Sequence, residues 1–295
     1  MLRRRGSSKD DLAALHARWL RGVARRGTVL SPNRLRELER QLARLRSKGI
    51  TTVPQLLRRF RKLSPRLRLG VARDVIGLYE IHQAWPLLME QLSNPSVRVG
   101  YADVLSRLNT KGRATAYFLE AGRRELASPE PDRDWLWAVI LGLGGTSDRR
   151  AAELLVEIFE RSDLPGWVRG EAGDKVGWCN RVRDRRTELY RRSRAAALRG
   201  LGDDSIDVQF WSMYVIGTLA TGPRCDGKNR HDFNEAIPKL RLIAKHDHRL
   251  APGCWWPMSA EAVDVIACIE RGQWPEPEAA ERCPYRGARG ESQRN

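Results

Sequence analysis

The sequence predicts an all-α protein, a stack of about five to six helical hairpins with a basic helical segment at its N-terminal end. Three observations carry this expectation. Apolar residues recur at helical spacing along almost the whole chain, and period-two alternation is scarce. Pro-, Asn- and Ser-containing start signals precede several of the apolar runs. A start signature also returns at intervals of 36, 35 and 40 residues, the size of one hairpin with its turns.

Taken in order, Leu35, Leu38, Leu42 and Leu45 line one helical face after Ser31-Pro32, an N-cap serine before a first-turn proline. Ser64-Pro65 repeats that start, and Val71, Val75, Ile76 and Tyr79 form the next stripe. Trp85-Pro86 through Leu87, Leu88 and Leu92 predicts a short helix. Asn94-Pro95-Ser96 ends it and launches another, with Val97, Tyr101, Val104, Leu105 and Leu108 on its inner side. From there the starts align. Val97-Arg98, Arg133-Asp134, Val168-Arg169 and Val208-Gln209 each precede a small residue (Ser106, Gly142, Gly177 and Gly217) eight positions after the second member. The glycines serve either as left-handed helix caps or as sites of close helix approach; Gly144-Gly145 favours the cap at Gly142. Stacking is required physically, because one helical hairpin cannot bury its own apolar face.

The segments Asn94-Pro95-Ser96-Val97-Arg98, Gly144-Gly145-Thr146-Ser147-Asp148-Arg149-Arg150-Ala151-Ala152 and Asp163-Leu164-Pro165-Gly166-Trp167-Val168-Arg169-Gly170-Glu171-Ala172 resemble bacterial HEAT repeats, including the bilin-lyase type. The resemblance covers residues 64–220 well and 233–272 loosely. It implies a right-handed α-solenoid with a concave binding face, in which Arg98 and Arg169 serve the ladder between repeats. Asp134 and Gln209 depart from that pattern. The organisation expected is a basic segment over 1–63, a repeat array over 64–272 with insertions near 180–190 and 221–232, and a flexible tail over 273–295.

Charge is distributed unevenly. Residues 1–73 hold 21 Lys and Arg against four acids, whereas residues 74–295 hold 32 of each sign. Arg accounts for 45 of the 53 basic residues, a ratio that compositional bias alone would produce. Bias does not explain the near absence of acids from the first 73 residues. That segment reads as an arm seeking an anionic partner or as a solvated helical face. Its candidate contacts are Arg18, Arg21, Arg25, Arg26, Arg58, Arg59, Arg61 and Lys62. A second run, with Arg181, Arg183, Arg185, Arg186, Arg191 and Arg192, lies in the 180–199 region. Ten tryptophans are present, and Trp178, Trp211, Trp255 and Trp256 are candidate binding residues because Trp and Arg are enriched at interaction hot spots. The competing assignment for most of them is core filling.

The five cysteines are widely spaced and odd in number, so reduced thiols are expected. The nearest approach to a metal motif is His246 and His248 with Cys254, or Cys225 with His231, and no metal or cofactor is expected. The longest apolar run, Trp135 to Gly145, is too short for a membrane span, and Met1-Leu2-Arg3-Arg4-Arg5 leads into no apolar stretch. A cytoplasmic protein without a membrane partner is expected. The function expected is a non-catalytic scaffold that holds a protein partner. The alternatives are a nucleic-acid binder using residues 1–73 and 181–199, and a DNA base-excision enzyme on a HEAT-like fold, since alkylpurine DNA glycosylases and bilin lyases use related repeats. No nucleophile elbow or phosphate-cradling loop supports catalysis.

Overall fold

The computed structural model describes residues 11–25, 32–108, 112, 114–144, 147–223, 226–251 and 256–275. Regular structure among them is entirely helical, with two isolated β-bridges, Asp11 to Thr52 and Leu250 to Pro257, and no strand. No helix among the described residues is long and apolar enough to cross a membrane. The chain divides into two compact units, Met1–Ala114 and Thr115–Asn295.

The first unit contains α1 (Leu12–Arg25), α2 (Pro32–Ser47), α3 (Val53–Arg59), α4 (Pro65–Val71), α5 (Trp85–Met89) and α6 (Arg98–Arg107). Helix α3 begins on a capping box: the Thr52 hydroxyl accepts from the Gln55 amide, and the Gln55 side chain accepts from the Thr52 amide. Asn94 prepares α6 as an Asx turn, its side-chain oxygen accepting from Ser96. Helix α4 runs into a π turn over Ala72–Ile76, and Leu38, Leu42 and Leu45 of α2 are buried. Helix α1 is tied down by the Leu12 amide donating to the Thr51 carbonyl at 2.9 Å. His16 Nδ1 lies 2.9 Å from the Tyr79 hydroxyl, and Trp19 stacks on the His16 ring. Burial lowers the His16 pKa and raises that of Tyr79. The basic helices α1 and α2 therefore pack on residues 64–79 within one unit, and the expected boundary at 63/64 falls inside it.

The second unit contains α7 (Thr115–Ala127), α8 (Arg133–Leu143), α9 (Arg149–Glu160), α10 (Gly166–Trp178), α11 (Glu188–Gly200), α12 (Ile206–Thr221), α13 (Ile237–His246) and α14 (Met258–Arg271). Asp132, Asp148 and Thr187 cap α8, α9 and α11 by accepting backbone N–H bonds at 2.9, 2.8 and 3.1 Å. Each helix packs on its sequence partner: α7 on α8, α9 on α10, α11 on α12 and α13 on α14. Across these pairs, α8 touches α10, α10 touches α12 and α12 touches α14; α7 touches α9, which touches α11. The core is consequently continuous from pair to pair, with Phe118, Phe159, Tyr214 and Phe233 almost fully buried.

Glycines set the closeness of these contacts. A Cβ at Gly142 would stand 2.4 Å from the Phe118 ring, and one at Gly177 would stand 2.5 Å from the Tyr214 ring. Both residues are inside helices, so the expected cap at Gly142 is corrected: α8 ends with Gly144 in right-handed conformation, and Gly142 exists to admit a buried aromatic ring. Gly217 plays the same part for Trp274, whose ring would meet its Cβ at 2.6 Å. Trp274 thus belongs to the packed body and not to a tail; residues 276–295 of the expected tail lie outside the described residues. The left-handed cap is found instead at Gly272, with φ +77°, at the end of α14.

Candidate functional site

Most arginines of the 181–199 run are already engaged by neighbours in the second unit. Arg181 donates to the Ser147 carbonyl at 3.0 Å, Arg185 pairs with Asp232 at 3.1 Å and Arg186 with Asp184 at 2.8 Å. Arg191 pairs with Glu188 at 2.7 Å and Arg192 with Glu160 at 2.6 Å. The hydrogen bond from Arg186 holds the Asp184 pKa down at about 2. Arg183 is buried and donates to the Gly177 carbonyl, which removes it from any surface groove. From the sequence, this run supplies candidate binding arginines. Its acid partners are supplied at long range by Asp232 and Glu160 and locally by Asp184 and Glu188.

The N-terminal set behaves differently. Arg18, Arg21 and Arg25 are exposed, fall on one stripe of α1 by their spacing, and form no ion pair with any described residue. Lys62 is likewise exposed and unpaired. Arg58 and Arg59 donate to the backbone carbonyls of Pro54 and Lys48, and Arg61 forms a two-pronged ion pair with Glu90. Arg26 lies outside the described residues.

The tryptophans also separate. Trp256 is 4% exposed, so the expectation of an open Trp255-Trp256 platform fails at Trp256; Trp255 lies outside the described residues. Trp178 and Trp211 are half-buried and flank Tyr214, with ring centroids 6.1 and 5.7 Å from it. One tryptophan not singled out from the sequence is more open to contact. Trp167, at the start of α10, is 40% exposed and meets Trp137 of α8 edge to face, at 5.8 Å and 86°.

Around these rings α8, α10 and α12 collect carboxylates. Lys175 Nζ lies 2.6 Å from Asp174 and 2.8 Å from Glu171, and the Trp178 indole N–H donates to the other Asp174 oxygen at 2.9 Å. Burial opposes the Lys175 charge, but Asp174 and Glu171 more than offset it and raise its pKa. The Lys175 stem lies against Gly144 of α8, where a Cβ would come within 2.5 Å of it. Asp207, at the start of α12, is half-buried over Gly170 and forms no ion pair with a described residue. Burial, with the nearby Glu171 charge, raises its pKa. Asp134 on α8 is exposed and likewise unpaired. The recoverable sequence signal was a carboxylate one helical turn from a Trp: Asp134/Trp137, Trp167/Glu171, Asp174/Trp178 and Asp207/Trp211.

The polar cleft of about 240 Å³ bordered by Arg123, Arg149, Glu153, Glu157, Glu188 and Arg192 carries charges of both signs, with Arg149 paired to Glu153 at 2.8 Å. Among the described residues no group of three or more His, Cys, Asp or Glu side chains is placed to hold a metal ion. Cys225 and Cys254, from the two sequence-level metal candidates, lie outside the described residues. The described residues define an all-helical protein in which α8, α10 and α12 carry a partly exposed set of tryptophans and carboxylates. Compared with protein-family models, curated proteins and solved structures, the chain matches none.

Proposed function

We propose that this chain is a non-catalytic binding scaffold whose second unit holds a protein partner, with α8, α10 and α12 forming the contact face. The order of helix contacts, pair on pair and row on row, supports reading that unit as a HEAT-like α-solenoid. The observation that carries the reading is the exposed Trp167 ring set against Trp137, beside the half-buried Trp211, because exposed aromatic anchors of this kind dominate binding energy at protein interfaces. A photo-crosslinking amino acid at position 167 is expected to capture a protein in cells. The same group at Glu157, exposed on α9, serves as the control and is expected to capture none. Equal capture from both positions, or none from 167, overturns the assignment.

A second reading, docking of the first unit on nucleic acid, is favoured by the stripe of Arg18, Arg21 and Arg25, which no described acid pairs with. Three phosphate contacts give a slope of log affinity against log salt of about −2.7 on duplex DNA. Replacing all three arginines by Gln is expected to flatten the measured slope by about that amount. An unchanged slope in the triple variant excludes this stripe as the contact.

A further inference from the structure

We infer that the α8–α10–α12 face takes an extended, arginine-bearing segment of the partner, one cationic side chain meeting each helix. This rests on the scaffold reading above and names the chemistry of what that face holds. Each of the three helices contributes a Trp and a carboxylate one turn apart: Asp134 and Trp137, Trp167 and Glu171, Asp207 and Trp211. That combination suits a guanidinium, which stacks on an indole face while its N–H groups reach a carboxylate. The edge-to-face packing of Trp137 and Trp167 leaves the exposed part of the Trp167 ring for such a contact.

Charge complementarity follows from what is already satisfied and what is not. Lys175 occupies the space between Asp174 and Glu171, so this face holds one ammonium group from its own chain. Asp134 and Asp207 have no such partner among the described residues. A guanidinium beside Asp207 would offset by its attraction both the cost of burial and the repulsion from Glu171. Elsewhere in the second unit, the exposed Arg149, Arg150 and Arg191 are each paired on their own helix or turn.

Spacing narrows the ligand further. Packed helices lie about 8–10 Å apart, and a polyproline-II strand advances about 3.1 Å per residue with three residues per turn. Arginine at every third position therefore recurs on one side of the strand about every 9 Å, in step with successive helices. A strand crossing α8, α10 and α12 would place arginines against Asp134 of α8 and Asp207 of α12, and between them one against the exposed Trp167 ring of α10.

The test uses the full chain and two labelled peptides of identical composition, followed by fluorescence anisotropy. One repeats Arg-Pro-Pro; the other gathers its arginines at one end. The spaced peptide is expected to bind about tenfold tighter than the clustered one, the weight of roughly one well-placed cation–aromatic contact. Trp167→Ala and the double variant Asp134→Asn/Asp207→Asn are each expected to erase that preference. Both change exposed or half-exposed side chains, and circular dichroism checks that they fold. Equal binding of the two peptides, or a preference that survives Trp167→Ala, overturns the proposal. If neither peptide binds while position 167 still crosslinks a protein, the scaffold reading stands and the arginine assignment falls. If crosslinking is lost as well, both fall.

Discussion

Gly142→Ala is expected to destabilise the second unit, even though alanine is the better helix former by about 0.5–1 kcal/mol. The new methyl group would sit 2.4 Å from two atoms of the Phe118 ring, and that ring is fully buried. Neither α7 nor α8 can yield cheaply, because Phe118 packs against Trp135 and Tyr117, with ring centroids 6.3 and 5.4 Å away. Overpacking of this kind costs about 1–3 kcal/mol. A net loss of about 2 kcal/mol corresponds to a fall in Tm of about 4–8 °C for a unit of this size. Gly202→Ala is the control, since the nearest atom to its Cβ is a backbone oxygen at an ordinary 3.6 Å. Calorimetry that finds Gly142→Ala as stable as Gly202→Ala would show that the ring is free to move and that Gly142 does not set the spacing of α7 and α8.

Lys175→Met is expected to cost more. It leaves the carboxylates of Asp174 and Glu171, 9% and 24% exposed, without the ammonium group that lies between them. Removing one partner of a buried ion pair costs about 3–5 kcal/mol, because the remaining charge stays desolvated. The sign with pH follows from the shifts. In the native protein the Lys175 pKa is raised, so its contribution is complete below the ordinary lysine value of about 10.4 and is lost as the pH rises through the folded value. Urea unfolding at pH 7 and pH 11 is therefore expected to show the gap between native protein and variant narrowing at pH 11. A gap that is constant with pH would mean that lost packing of the lysine stem against Gly144 is the whole effect.

Helix starts were the most legible part of the fold. Pro32, Pro65 and Arg98 open α2, α4 and α6 where the local signals place them, because proline geometry and the Asn94 turn act within a few residues. The aligned starts at 98, 134, 169 and 209 all fall at or within the first turn of their helices. The glycines were less legible. A cap and a close approach need the same residue, and only the partner helix tells them apart, as Phe118 does for Gly142. The candidate site was legible only in pieces. Trp178 and Trp211 were visible as aromatics, but Trp137 and Trp167 gain their meaning from α8 lying against α10.

Composition and local spacing were enough to specify an all-helical chain, its helix starts and the excess of positive charge in its first quarter, since these depend on residues within a turn or two of one another. Tertiary structure alone decided which charges remain free. Arg185 meets Asp232 and Arg192 meets Glu160 across long stretches of sequence, whereas Arg18, Arg21 and Arg25 meet no acid among the described residues. An ion pair depends on distance in space, and distance in space between remote residues is set by how the helices pack.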